Sequence, residues 1–278
     1  MLPDLLLEPL VRNALTEDLG PTGDATVAAV IPPGLRQAVR LNARSSGVAS
    51  GLRLAAMAFR MVDPALRVVA LAEDGDRFEP GTTLMTVEGA AGSILMAERV
   101  ALNFAGRMTG IATLTAAFVA ETRGTRARIT CTRKTTPGLR AVEKAAVRHG
   151  GGSSHRFGLS DAILIKDNHI AAAGGIRPVL EAARAARSHM MRVEIEVDHL
   201  DQLEEVLALG VADVVLLDNM TTATLAEAVA MTAGRVVLEA SGNMALPRIA
   251  EVAATGVDYI SVGALTHSAP VVDLGLDA

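Results

Sequence analysis

The sequence predicts an α/β protein in two parts: an N-terminal α+β sandwich-like domain, then an incomplete (open) α/β barrel of about six or seven parallel strands. Three observations carry this. In the second half, short Val/Ile/Leu-rich runs alternate with Ala-rich segments of helical period, the pattern of βα units. The last three intervals between those runs are even, about 22 residues each, and no Gly-x-Gly-x-x-Gly fingerprint accompanies them, which favours a barrel over a dinucleotide-binding sheet. The first part instead holds runs that alternate like half-buried strands.

In chain order, residues 5–17 are amphipathic and predict a helix, closed by a turn at Gly20, Pro21, Gly23 and Asp24. Residues 38–43 and 82–88 alternate as strands, and residues 74–81, with Gly75, Pro80 and Gly81, form a turn between short strands. A long helical pattern over 92–121 leads into the barrel. The boundary falls near residue 110, giving an α+β domain over 1–110 and the barrel over 111–278, with the N-terminal helix and C-terminal tail expected to pack across domains. Barrel strands are expected at 127–131, 162–166, 192–197, 213–217, 235–239 and 257–261. Between them, helices are expected at 137–148, 170–187, 200–209, 222–231 and 245–254, with Ser, Thr, Asp or Pro near their starts.

Composition narrows the function. The chain has 278 residues, 50% of them hydrophobic and 21% charged, so it folds around a core, and its charges interrupt any run long enough to span a bilayer. A net charge of -5 provides no overall basic field for nucleic acid or anionic lipid. At 2% aromatic content, with no Trp, it has no stacking platform for single strands. The single cysteine, Cys131, excludes an internal disulfide and reads as a strand residue rather than a nucleophile or zinc ligand. No basic-then-apolar leader opens the sequence, so the expected location is cytoplasmic. Against the acidic background, residues 121–170 carry ten Lys or Arg and only four Asp or Glu. All three lysines of the chain, Lys134, Lys144 and Lys166, lie in that stretch. Anion binding is therefore expected to be local, in a pocket.

Polar or glycine-rich residues recur just after each barrel strand, where the active sites of such barrels are built. Thr132, Arg133 and Lys134 follow the first strand, and Lys166, Asp167, Asn168 and His169 end the second. Glu194 and Glu196 lie on the third strand, and Asp218 and Asn219 close the fourth. Ser241, Gly242 and Asn243 follow the fifth, and Gly263 and Ala264 the sixth. The last two loops read as a phosphate cradle, in which small residues let backbone N–H groups approach an anion, although such turns also serve packing alone. Glu194 and Glu196 share strand parity, so both face one way; if inward, they require a cation, either Mg²⁺ held with Asp218 or a basic neighbour such as Arg133, Lys134 or Lys166. His155 and Arg156 follow Gly150, Gly151 and Gly152, three glycines that imply a backbone passing close to something or a mobile loop delivering the arginine. A cluster of Arg133, Arg156 and possible Arg99 suits a small substrate with more than one carboxylate.

These motifs, in order along nearly the whole chain, resemble the quinolinate phosphoribosyltransferase (nicotinate-nucleotide pyrophosphorylase) family. The carrying residues are Glu17-Asp18-Leu19-Gly20 with Gly23-Asp24-x-Thr26, Glu98-Arg99-x-x-Leu102-Asn103, and Thr132-Arg133-Lys134-Thr135 with Pro137-Gly138. His155-Arg156 with Gly158, Ile165-Lys166-Asp167-Asn168-His169 and Glu194-x-Glu196 follow, and then Leu217-Asp218-Asn219, Glu239-x-Ser241-Gly242 and Ser261-x-Gly263. The resemblance implies transfer of phosphoribosyl from phosphoribosyl pyrophosphate to quinolinate with decarboxylation, and Mg²⁺ as cofactor. It assigns Arg133, Arg156, Lys134, Thr132 and His155 to quinolinate, with Arg99 entering from the neighbouring subunit of a homodimer. It assigns Lys166, Glu196, Asp218, Ser241, Gly242, Asn243, Gly263 and Ala264 to phosphoribosyl pyrophosphate, with Glu196 and Asp218 on the metal and Lys134, Lys166, Glu196 and Asp218 as the catalytic set. Two other readings stand beside it: a molybdenum-transport-type accessory protein of the same fold that binds oxyanions without turnover, and a barrel aldolase with Lys166 as Schiff-base lysine. The Lys166 to His169 run argues for the transferase.

Overall fold

The computed structural model describes residues 2–278. In chain order it contains α1 (Asp4–Leu19), α2 (Ala25–Val30), β1 (Arg36–Ala43), β2 (Gly47–Val48), α3 (Leu52–Val62), β3 (Arg67–Ala70), β4 (Arg77–Phe78), β5 (Thr83–Ala90) and α4 (Ala91–Ala120). There follow β6 (Arg128–Thr130), α5 (Arg140–His149), β7 (Ile163–Ile165), α6 (Asp167–Ala173), α7 (Ile176–Ala186), β8 (Val193–Val197), α8 (Leu200–Leu209) and β9 (Val214–Asp218). The chain ends with α9 (Thr222–Thr232), β10 (Val237–Ser241), α10 (Ile249–Ala254), β11 (Tyr259–Ser261), α11 (Ala264–His267) and β12 (Leu274–Asp277). Two compact units result: residues 2–116, 135–151 and 265–278 form unit 1, and residues 117–134 and 152–264 form unit 2.

Unit 1 is built on a four-stranded antiparallel sheet in the order β12-β1-β5-β3, with β2 and β4 paired separately. Alternation along β1 sends Val39, Leu41 and Ala43 inward, beside Leu84, Met85 and Val87 of β5. α3 has a strongly one-sided apolar face that buries Leu52, Ala55, Ala56 and Phe59, and truncating a core aromatic of this kind costs about 3–5 kcal/mol. The C-terminal tail belongs to this unit, since β12 pairs with β1 from Arg40↔Asp277 to Ala43↔Leu274. The tail also runs tight against α4, where a Cβ at Gly110 would overlap the Pro270 carbonyl.

Unit 2 is a six-stranded parallel sheet in the order β6-β11-β10-β9-β8-β7. β6 and β7 are its two ends and do not pair with each other, so the barrel is open, as expected. Ser153 partly fills the edge, forming a parallel bridge to Thr130 in which its N–H donates to the Ile129 carbonyl at 2.7 Å. The apolar run Val214–Leu217 of β9 suits burial on both faces, whereas β8, Val-Glu-Ile-Glu-Val, alternates and turns Glu194 and Glu196 to one face. The single helix expected at 170–187 is two helices. α6 ends at Gly174 in the left-handed region, and Gly175, at φ 139°, precedes α7. The Gly174-Gly175 pair marks this break in the sequence, and the expectation of one continuous helix passed over it. Among the described residues, no helix is long and apolar enough to cross a membrane.

Candidate active site

Parity and register bring the acids of unit 2 to one sheet face. Glu196 pairs with Leu216, Leu216 with Glu239, and Asp218 with Ser241, so Glu194, Glu196, Asp218, Glu239 and Ser241 all point the same way. At the C-terminal ends of the strands, Lys166 Nζ donates to Glu196 Oε2 at 2.6 Å, with the lysine half exposed and the glutamate nearly covered. One of the two cationic solutions anticipated for the paired glutamates is thus present. Lys166 is fixed from behind: its backbone N–H donates to His169 Nδ1 at 2.9 Å, so His169 caps α6.

Next to it, Asn219 adopts φ 54° and donates from its side-chain amide to Asp218 Oδ2 at 2.6 Å. Its backbone N–H donates to the Ser241 carbonyl, and its own Oδ1 accepts from Asn243 Nδ2 at 3.2 Å. Gly242 sits at φ 88° where any Cβ would overlap the Asn219 amide, so this glycine is required by close packing as well as by its backbone. Asn243 at φ 48° supplies a second left-handed residue to the same turn, a conformation that Asn tolerates. Gly263 and Ala264 follow β11, which lies between β6 and β10 in the sheet, and are half buried.

Deeper on the same face, His155 Nε2 lies 3.0 Å from Glu194 Oε2 and 3.6 Å from Glu239 Oε1. These three residues form a cluster that could hold a metal ion. The hydrogen bonding argues otherwise, because the Arg156 backbone N–H donates to His155 Nδ1 at 2.8 Å and so leaves the proton on Nε2, facing the carboxylates. A protonated Nε2 donates and does not ligate. Glu196 and Asp218, hard oxygen donors at the ends of adjacent strands, suit Mg²⁺ better.

Arg156 Nη1 donates to the Ala162 carbonyl at 3.1 Å, while its Nε is buried with no hydrogen-bond partner, as is Glu194 Oε1. Burial, then the neighbouring Arg133 guanidinium, holds the Arg156 pKa below its ordinary value; Glu194 and Asp161 act to raise it. Asp161 in turn closes the 157–161 loop by accepting from the backbone N–H groups of Phe157 and Gly158 at 2.5 and 2.7 Å. Burial acts to raise the Asp161 pKa, but those backbone donors prevail and lower it. The glycine run before His155 marks close approach: a Cβ at Gly150 would overlap the Ala112 carbonyl, and Gly151 is left-handed. Thr132, Arg133 and Lys134 follow β6, and the Lys134 N–H donates to Thr132 Oγ1 at 3.0 Å. Arg99 lies exposed on α4 in unit 1.

The structure therefore joins Lys166 to Glu196, joins Asp218 to Asn243 through Asn219, and seats His155 against Glu194. Sequence reasoning gave no role to Glu239, although its place in Glu239-x-Ser241-Gly242 and its parity with Ser241 put it on the functional face.

A parallel open barrel with acids and cations at its strand ends defines a class of phosphate- and carboxylate-handling enzymes, and the comparisons with known proteins make that specific. Residues 24–109 match the N-terminal domain of quinolinate phosphoribosyl transferase and residues 111–277 its C-terminal domain. The chain belongs to this family. It is 45% identical to the nicotinate-nucleotide pyrophosphorylase [carboxylating] of Mycobacterium leprae, over 96% of this chain and 95% of that one. It is 41% identical to quinolinate phosphoribosyltransferase [decarboxylating] 1b of Nicotiana tabacum, over 99% and 83%. The structure of the nicotinate-nucleotide pyrophosphorylase from Francisella tularensis superposes with a TM-score of 0.95 at 37% identity, covering 100% of this chain and 97% of that one.

Proposed function

We propose that this chain transfers the phosphoribosyl group of phosphoribosyl pyrophosphate to the ring nitrogen of quinolinate and releases pyrophosphate, CO₂ and nicotinate mononucleotide. The observation that carries the reading is the sheet face on which Lys166 and Glu196 stand beside Asp218 and the Ser241 to Asn243 turn, with Arg156 and His155 on the same unit. The nitrogen lone pair forms the bond to the anomeric carbon as the bond to pyrophosphate breaks. Glu196 and Asp218 stabilise the positive charge that develops on the ribose, and Lys166 and Lys134 offset the negative charge that departs. Lys166 is already oriented by its bond to Glu196.

Glu196 and Asp218 would hold Mg²⁺ together with substrate and water, and the bound ion would supply further neutralisation of the pyrophosphate. The Ser241, Gly242, Asn243, Gly263 and Ala264 loops receive the ribose phosphate. Arg133, Arg156, Lys134 and Thr132 hold the two carboxylates, next to His155. With the ring nitrogen then cationic, the bond to the neighbouring carboxylate breaks, its electron pair stays on the ring carbon, and that carbon takes a proton from solvent. The arginines must therefore bind the leaving carboxylate without overstabilising it.

We place the protein in the cytoplasm as a homodimer in which Arg99, exposed on α4, completes the site of the second copy. Following nicotinate mononucleotide and CO₂ from quinolinate and phosphoribosyl pyrophosphate with Mg²⁺ tests the reading. The native chain is expected to form both products and Lys166→Ala to form neither at a comparable rate. Substrate binding without turnover by the native chain would instead support an accessory oxyanion-binding protein. For the dimer, mixing inactive Arg99→Ala with inactive Lys166→Ala is expected to restore about a quarter of native activity through mixed dimers. No restoration would place Arg99 in its own subunit's site or outside it.

A further inference from the structure

An ion pair in unit 1, with its carboxylate fully buried and its guanidinium partly exposed, stands apart from the residues given roles above. Glu143 of α5 has no exposed side-chain surface. Its Oε1 accepts from Arg107 Nε at 3.0 Å and Nη2 at 2.5 Å, and its Oε2 accepts from the Thr136 backbone N–H at 3.0 Å. The same Arg107 Nη2 donates to Thr136 Oγ1 at 2.7 Å and to the Thr266 carbonyl at 3.0 Å.

Two of these partners lie next in the chain to the loops assigned to substrate. Thr136 is two residues beyond Lys134, in the Thr132 to Thr136 segment that carries the quinolinate cations. Thr266 is two residues beyond Ala264, which ends the proposed ribose-phosphate loop and begins α11. One guanidinium, neutralised by one fully buried carboxylate, thus ties together the exits of both substrate loops. Arg140, whose Nε donates to Thr135 Oγ1 at 3.0 Å, adds a second fastening on the quinolinate side only.

We propose that Arg107 and Glu143 form a positioning pair for catalysis: they hold the 132–136 loop and the 263–264 loop in register, so that the two substrates are presented to each other in one geometry. Neither residue touches substrate in this proposal, which rests on the transferase reading. The physical reason to expect a kinetic role is that reaction between two bound substrates depends steeply on their mutual alignment, and small displacements of a supporting loop cost rate. A salt bridge buried for stability alone has a different signature, because replacing both partners with apolar residues of similar volume is often neutral or stabilising.

The test is the double variant Arg107→Met/Glu143→Met, compared with native protein for melting temperature and for KM of each substrate and kcat. The expected result is a folded protein, its melting temperature lowered only by the lost partners of the Thr136 N–H and the Thr266 carbonyl, with KM for both quinolinate and phosphoribosyl pyrophosphate raised at least about tenfold and kcat lowered. Native kinetics in the folded double variant would overturn the proposal and leave the pair as structure only. Thr136→Val, which removes the Oγ1 acceptor but keeps the N–H bond to Glu143, provides a second test: it is expected to raise KM for quinolinate alone. A Thr136→Val variant with both KM values unchanged would count against the tie even if the double variant failed to fold. If the native chain makes no product, the transferase reading fails first, and that outcome is distinct from a native enzyme whose double variant is kinetically intact.

Discussion

Glu143 in unit 1 and Glu194 in unit 2 both keep their carboxylates out of water, and their surroundings are opposite. Both oxygens of Glu143 are satisfied, by Arg107 and by the Thr136 N–H. Glu194 has His155 on one oxygen, while its Oε1 is buried without a hydrogen-bond partner, as is Arg156 Nε in the same region. Leaving a buried polar group unsatisfied costs about 1–3 kcal/mol, so Glu194 Oε1 and Arg156 Nε are the groups here with most to gain from a partner such as ligand or water. The saturated network is the one we propose as a clamp, and the unsaturated one lies where we propose that substrate binds.

The largest expected effect sharpens this contrast through stability. Glu143→Ala, which orphans the Arg107 guanidinium and the Thr136 N–H, is expected to cost about 3–5 kcal/mol in urea unfolding. Glu194→Gln is expected to change stability by less than about 1 kcal/mol while impairing turnover, since the lost charge was only half compensated. Equal costs at the two positions would break the comparison. Next in size, Lys166→Ala is expected to lower kcat by about 10²–10³-fold with little change in unfolding midpoint, because it removes a half-exposed cation aimed at developing charge. A loss of stability without a loss of rate would make the Lys166 pair another structural clamp.

Smaller again is Gly242→Ala, where the left-handed backbone and the overlap with Asn219 are expected to cost about 1–3 kcal/mol and to raise KM for phosphoribosyl pyrophosphate. A variant with native stability and KM would remove the turn from the site.

The smallest effect is pH-dependent and lies in unit 1. Burial holds the His149 pKa below its ordinary 6.5, with the Asp74 charge raising it and the Arg148 charge lowering it, and Ser50 Oγ lies 2.8 Å from His149 Nδ1. Stability from a depressed histidine is present above 6.5 and is lost as pH falls below that value, since the unfolded chain takes the proton first. Burial also raises the Asp74 pKa above its ordinary 3.8, so this carboxylate destabilises when ionised and recovers as pH falls. The two act in opposite directions on acidification. Lowering pH from about 7.5 to 5.5 is therefore expected to leave the unfolding free energy nearly unchanged, while His149→Gln, which leaves Asp74 unopposed, is expected to gain stability on acidification.

The elements that could be read from sequence were those with an uninterrupted physical signal. The six barrel strands lie within a few residues of their expected positions because each is a short run rich in Val, Ile or Leu between helical segments. The shared face of Glu194 and Glu196 followed from strand parity alone. The break between α6 and α7 was legible in the Gly174-Gly175 pair, both at positive φ, and a single helix over 170–187 gave too little weight to that breaker. The seating of His155 between Glu194 and Glu239 depends on parallel pairing between distant segments, which no local pattern encodes. Arg107 and Glu143 look in sequence like ordinary charged positions on helices, and only the packed structure shows that the glutamate is wholly buried.

The central claim is tested most directly by CO₂ release from carboxyl-labelled quinolinate by the native protein, with and without phosphoribosyl pyrophosphate. The expected result is CO₂ released one for one with nicotinate mononucleotide, and none when phosphoribosyl pyrophosphate is omitted. Quinolinate binding with no CO₂ under either condition would contradict the account, as would CO₂ released without phosphoribosyl pyrophosphate.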